Sequence, residues 1–209
     1  MVKRKLDQVE VTRAATDWLL VTGQPSCGKT TAVKRLVKLL QSKGVRCKGF
    51  YTEEVVNGSG ARVGFDVVTI PDAKRDVLSR KEGFFKSKYK TGQYYVDRES
   101  FEDLALPSLS TEGIIDDNDK ESTVFVLDEI GRMELHSTKF SEQVRRLLDE
   151  GVKLIGAITA PIYGHRVPFC DEISSLDGVS VFKLTKKTRD VVVEDLLDLI
   201  EKKWLAKLK

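Results

Sequence analysis

The chain has 209 residues, enough for one domain with a full hydrophobic core, and its 41% hydrophobic and 32% charged residues are ordinary for a soluble globular protein. Its formal net charge of +3 is too small to argue for a nucleic-acid partner, no apolar run is long enough for a membrane span, and the basic Lys3, Arg4 and Lys5 are followed by no apolar signal segment. Three widely spaced cysteines, Cys27, Cys47 and Cys170, indicate reduced thiols and a cytoplasmic setting, and two histidines, His136 and His165, are too few for a histidine metal site.

Residues 1–16 are polar with weak periodicity and are expected to form a flexible extension, with 17–209 as a single domain. Trp18 to Val21 reads as a buried strand. It leads into Gly23-Gln24-Pro25-Ser26-Cys27-Gly28-Lys29-Thr30, which matches G-x-x-x-x-G-K-[ST]. A helical pattern follows, with Val33, Leu36, Val37 and Leu40 on one face, so the glycine loop has the strand-before, helix-after setting that a P-loop requires. Gly23 and Gly28 let the backbone curl so that successive N–H groups cradle a triphosphate, and the helix N-terminus adds positive charge. Lys29 is expected on the β- and γ-phosphates, and the Thr30 hydroxyl on Mg²⁺. Cys27, inside the loop, is either a thiol activated by the helix N-terminus and Lys29 or a small residue that fits, and the second is the expectation.

The helix should end near Ser42 and Lys43 with Gly44 as its cap, and Val45 to Thr52 is the next strand. Asn57-Gly58-Ser59-Gly60, followed by alternating Val63, Phe65 and Val67, signals a hairpin and so an antiparallel addition to the sheet. Residues 74–90 are basic (Lys74, Arg75, Arg80, Lys81, Lys86, Lys88, Lys90). They read as a solvated loop or exposed hairpin, with a phosphate- or RNA-attracting flap as the other reading. Tyr94 to Val96 is a short strand, and Asp97 or Ser100 caps a helix expected to stop before Pro107. Residues 111–123 are polar and acidic and are expected to be a surface loop.

Val124-Phe125-Val126-Leu127 is a buried strand with Asp128 and Glu129 at its C-terminal end, where ligands bind in open α/β sheets. Asp128 is placed to hold Mg²⁺ as a Walker B aspartate does, and Glu129 to act as the base that deprotonates an attacking water. An amphipathic helix over 138–150, a strand over Val152 to Ile158, a loop over 159–170, a strand over Val179 to Leu184 and a helix over 190–208 complete the alternation. The result is a three-layer α/β domain with one antiparallel insertion.

Thr30-Thr31, the run Gly49-Phe50-Tyr51-Thr52-Glu53-Glu54, then Gly64-Phe65-Asp66-Val67-Val68, Gly92-Gln93-Tyr94 and Asp128-Glu129-Ile130-Gly131-Arg132-Met133-Glu134-Leu135 occur in that order. Together they resemble the cancer-related nucleoside-triphosphatase family, with its thermophile-type NTPases, over roughly residues 18–190. The resemblance implies a RecA-like P-loop domain, mostly parallel, that hydrolyses ATP, GTP, CTP and UTP to the diphosphate and phosphate with Mg²⁺. The expected nucleotide contacts are residues 23–31 (Gln24, Pro25, Ser26 and Thr31 included), Asp128 and Gly131. The expected catalytic set is Lys29, Glu129, Arg132 and Arg189. The chain departs from the family where Ser26 replaces a glycine, Arg132 a lysine and Thr188 an asparagine.

A developing γ-phosphate charge needs a further cation, for which Arg132, Arg166 and Arg189 are candidates. Two other functions share the same loop: a nucleotide or small-molecule kinase, and a nucleic-acid-associated ATPase resting only on the 74–90 and Lys3-Arg4-Lys5 charges. The hydrolase is the leading expectation, acting as a monomer on nucleoside triphosphates.

Overall fold

The computed structural model describes residues 17–81, 85–114, 116–161 and 165–205; the extension 1–16 lies outside them. Strand β1 (Asp17–Gly23) is buried on both faces: Trp18 and Leu20 enter one core, Leu19 and Val21 the other. That two-sided burial is why it reads as a continuous apolar run and not as an alternating one. Helix α1 (Lys29–Ser42) follows, burying Ala32, Val33, Leu36, Val37 and Leu40. Gly44 closes it in the left-handed region at φ +80°, donating its N–H to the Gln41 carbonyl at 3.0 Å.

Strands β2 (Arg46–Val56) and β3 (Arg62–Ile70) form the expected hairpin. Asn57 Oδ1 organises its turn by accepting from the Ser59 and Ala61 amides at 3.1 and 2.9 Å. The basic stretch does not form a solvated loop. Its first part is strand β4 (Arg75–Lys81), paired antiparallel with β3 and burying Leu78 and Ser79. The charges are matched within the sheet: Arg75 Nη1 lies 3.1 Å from Asp66 and also reaches Glu53, while Arg80 Nη2 lies 2.5 Å from Asp66. Cross-strand ion pairs convert a basic run into a sheet strand. Short strands β5 (Lys90–Thr91) and β6 (Tyr94–Val96) extend this antiparallel half.

Helix α2 (Arg98–Ser108), capped by Asp97 accepting from the Ser100 amide at 3.1 Å, continues through Pro107 instead of stopping before it. Proline there removes one hydrogen bond in the final turn, while the helix buries Phe101 and Ala105. The expected 111–123 loop contains a short helix, α3 (Asp117–Glu121). Strand β7 (Thr123–Ile130), helix α4 (Thr138–Asp149) and strand β8 (Lys153–Thr159) fall where the periodicity places them. Helix α5 (Pro168–Ser174) begins inside the expected 159–170 loop, with Pro168 in its first turn. Strand β9 (Val179–Lys183) and helix α6 (Arg189–Ile200) follow, with a further turn over Glu201–Leu205 that buries Trp204.

Among the described residues nine strands form one sheet, in the order β5-β6-β4-β3-β2-β7-β8-β1-β9. The expectation of a mostly parallel sheet needs correction: four strand pairings are parallel and four are antiparallel. The parallel half, from β2 to β9, carries the P-loop strand and the acidic strand. The antiparallel half is larger than one hairpin because β4, β5 and β6 continue it. Helices α1 and α6 cover one face, and α2, α4 and α5 the other. Phe50, Phe101 and Phe140 meet edge to face in the second core, with centroids 5.4 to 6.0 Å apart.

Candidate active site

The site lies where the C-terminal ends of β1 and β7 face the start of α1. Gly28 caps α1 at φ +105°, a left-handed conformation open to glycine, and a Cβ there would stand 3.1 Å from Arg189 Cδ. No side chain caps the helix and no acid occupies its first turn, so its amides present uncompensated positive charge to the cleft. Ser26 takes φ +60° although it carries a Cβ, a strain on the order of 1 kcal/mol at the position where glycine was expected. Its hydroxyl accepts from Arg62 Nη2 at 3.4 Å. Cys27 points away from the cleft into the core of α1, 4% exposed.

Strand β7 delivers the two carboxylates. Its pairing with β8 is regular as far as Leu127 opposite Gly156 and resumes at Ile130 opposite Ile158, so the ladder breaks at Asp128 and Glu129. A break of this kind re-aims side chains at the rim of a sheet. Lys29 Nζ, on the facing helix, lies 3.1 Å from Glu129 Oε2 and 3.4 Å from the Gly23 carbonyl.

Asp128 is 1% exposed, and among the described residues neither carboxylate oxygen has a hydrogen-bond partner. Burial pushes its carboxyl up to about 7, with the Glu129 charge adding to the shift. The Thr30 hydroxyl beside it favours the charged form without reaching full hydrogen-bond geometry, and Lys29 acts in the same sense. A buried carboxylate without donors is destabilising unless something charged completes it. Two hard oxygen donors, one anionic, suit a divalent cation. Among the described residues no group of three or more His, Cys, Asp or Glu could hold a metal alone. The ion would therefore complete its shell with phosphate and water, as Mg²⁺ does.

Glu134 is a member of this cluster that motif spacing does not reveal. It sits on a short turn, Glu134–His136, 3% exposed. Burial raises its carboxyl well above the usual range, and the charge of Glu129 adds to that. Gly131 makes the arrangement possible: a Cβ there would stand 2.7 Å from Glu129 Oε1 and 2.8 Å from Glu134 Oε2. Arg62 was also missed. It reaches the loop only through the register of the β2–β3 hairpin, and no local pattern announces that.

The cleft has two lobes that meet at Ser26, Lys29, Thr30, Thr52, Glu54 and Phe65. One, of about 480 Å³, is lined beyond these by Gly28, Thr31, Lys34 and Arg189. The other, also about 480 Å³, is lined by Pro25, Glu129, Arg132 and Glu134 and continues toward β6. Gln24 and Cys27 border a separate recess behind the loop, against Leu184. Of the three arginines, Arg132 donates to the His165 carbonyl at 2.6 Å and Arg189 lies over Gly28. Arg166 is at the surface, 3.7 Å from Asp171, and borders neither lobe.

Among the described residues no helix is long and apolar enough to cross a membrane. Residues 18–197 match the protein family described as NTPase. The chain is 39% identical over 183 residues to the nucleoside-triphosphatase THEP1 of Thermotoga petrophila, spanning 88% of this chain and 92% of that protein. It is 39% identical over 187 residues to the human cancer-related nucleoside-triphosphatase, with 88% and 96% covered. The crystal structure of THEP1 from Aquifex aeolicus superposes with a TM-score of 0.74 at 37% identity, covering 88% of this chain and 99% of that one. The solution structure of the human protein superposes with a TM-score of 0.73 at 38% identity, covering 91% and 99%. With its P-loop, the acidic pair that ends β7 and matches that span nearly the whole chain, this protein belongs to the NTPase family.

Proposed function

We propose that this chain hydrolyses nucleoside triphosphates to the diphosphate and phosphate, with Glu129 as the base that activates water. The observation that carries the reading is the carboxylate pair at the end of β7: Asp128 buried beside Thr30 with neither oxygen fully hydrogen-bonded among the described residues, and Glu129 in contact with the P-loop lysine.

The α1 amides and Lys29 bind the phosphates and hold the γ-phosphoryl at the Glu129 end of the cleft. Thr30 and Asp128 are the residues that would hold Mg²⁺, which when bound neutralises charge on the phosphates. Glu129 takes the proton of a water in line with the bridging oxygen that leaves. Its pairing with Lys29 directs the carboxylate at the cleft. Burial holds the Glu134 carboxyl well above its usual range, which disfavours a second negative charge beside Glu129. Arg132 on one side and Arg189 on the other supply positive charge to the transition state.

The test is release of labelled phosphate from γ-labelled ATP, GTP and CTP by the wild type and by Glu129→Gln. The variant is expected to lose at least roughly 100-fold in kcat while still binding nucleotide, the scale of losing a general base. Hydrolysis by Glu129→Gln at the wild-type rate would remove Glu129 from the mechanism.

A further inference from the structure

We propose that the lobe beyond Glu129 is an acceptor site for a nucleoside-sized planar molecule with a free hydroxyl, to which the chain transfers the γ-phosphoryl group. The inference rests on Glu129 marking the γ-phosphate end of the cleft. On that reading the lobe lined by Thr31 and Arg189 takes the rest of the triphosphate, because it borders the P-loop without Glu129. The second lobe borders Lys29 and Glu129 and extends away from them.

Hydrolysis alone does not account for this second space. One attacking water needs about 10–15 Å³ of such space, whereas the lobe measures about 480 Å³, within the range of sites that take small organic ligands. Leu78, Tyr94 and Met133 line it beyond the first lobe, and Phe65 stands where the two lobes meet. The Phe65 and Tyr94 rings stand edge to face, 5.3 Å between centroids, and fix an aromatic wall suited to a flat heterocycle. The Gln93 side-chain amide, at the turn between β5 and β6, offers a donor and an acceptor side by side, the pattern that reads the edge of a nucleobase. Arg62 borders the same lobe near Ser26, its guanidinium paired with Glu54 Oε1 at 2.6 Å. A mostly apolar wall with one amide at its rim makes a ligand site and exceeds what a water channel needs.

The step balances without a further reagent. The acceptor oxygen bonds to the γ-phosphorus, the bond from that phosphorus to the β–γ bridging oxygen breaks, and the nucleoside diphosphate departs. Glu129 receives the hydroxyl proton and returns it to solvent. Hydrolysis is the same step with water in place of the alcohol.

The experiment incubates the full chain with Mg²⁺, γ-labelled ATP and, in turn, adenosine, guanosine, cytidine, uridine and thymidine, then separates phosphate from nucleoside monophosphate. Label in at least one monophosphate is expected, with a transfer-to-hydrolysis ratio at least ten-fold lower in Gln93→Ala. Equilibrium dialysis of that nucleoside should show at least ten-fold weaker binding to the variant. Free phosphate without any labelled monophosphate overturns the acceptor site and leaves the hydrolase reading standing. So does competition between every nucleoside and ATP, which assigns the lobe to the substrate's own base, and so does an unchanged ratio in Gln93→Ala. Neither phosphate nor monophosphate overturns both readings, whereas monophosphate without free phosphate supports the acceptor site and removes the hydrolase.

Discussion

A carboxylate withdrawn from water without a completed hydrogen bond opposes folding, and among the described residues Asp128 is such a group. Its carboxyl is pushed up to about 7 in the fold, from 3.8 in the open chain. Between those values the folded state holds a proton that the unfolded state has released, so raising the pH through this window lowers stability, and above about 7 the loss is complete. Glu134, also raised by burial, acts in the same direction. Asp128→Asn should therefore stabilise the metal-free protein above pH 7 by on the order of 1–3 kcal/mol and abolish phosphate release. The gain should shrink as pH is lowered toward about 4, where the native carboxyl is neutral as well. Urea unfolding at several pH values checks this; a gain of constant size would show that desolvation of the charge is not its cause. The same residue would gain a cation when nucleotide binds, so its cost to folding and its use in the site have one origin.

Helix α4 starts on a polar contact that joins it to α2. Ser137 Oγ accepts from the Phe140 amide at 3.0 Å and donates to Glu102 Oε1 at 2.8 Å. Glu102 is buried, which disfavours its charge, yet Lys139 at 2.9 Å and the Ser137 hydroxyl hold its carboxyl below the ordinary value. One hydroxyl thus caps a helix and satisfies a buried acid beneath the Phe50–Phe101–Phe140 cluster. Ser137→Ala should cost about 1–3 kcal/mol, more than a surface cap alone, because the acid is left short of a donor. Chemical denaturation measures it, with Ser137→Thr as the variant that keeps the hydroxyl. Strand β4 shows the same logic on the sheet: Arg75 and Arg80 find Asp66 on the neighbouring strand, so their charge is used within the fold. The phosphate- or RNA-attracting flap loses those two residues.

The cleft draws on residues that start far apart: the P-loop after β1, the carboxylates of β7, Arg62 of β3, Gln93 in the β5–β6 turn, Tyr94 of β6, and Arg189 of α6. An unfolded chain cannot assemble them, so a ligand of this site binds the native state alone. A non-hydrolysable triphosphate analogue with Mg²⁺, at about 100 times its Kd, should add roughly 2.7 kcal/mol and raise Tm by about 5–10 °C. Removing the metal with a chelator should cancel most of that rise, because Asp128 returns to being a buried charge without a partner. A rise that survives chelation would separate nucleotide binding from Thr30 and Asp128.

Much of this protein was legible in its residues. The G-x-x-x-x-G-K-T loop, the two-sided apolar strands, the Asn-Gly hairpin and the Asp-Glu pair after β7 are patterns spanning a few positions, dictated by backbone freedom, side-chain period and donor chemistry that act locally. Tertiary structure decided what depends on residues distant in sequence. The basic 75–81 stretch is a strand because Asp66 and Glu53 lie across the ladder from it. Helix α2 passes Pro107 because burying Phe101 and Ala105 outweighs one lost hydrogen bond. The sheet is half antiparallel because β4, β5 and β6 add to the hairpin. Glu134 and Arg62 enter the site because a glycine gap and a strand register bring them there, and neither leaves a mark on its immediate neighbours in the chain.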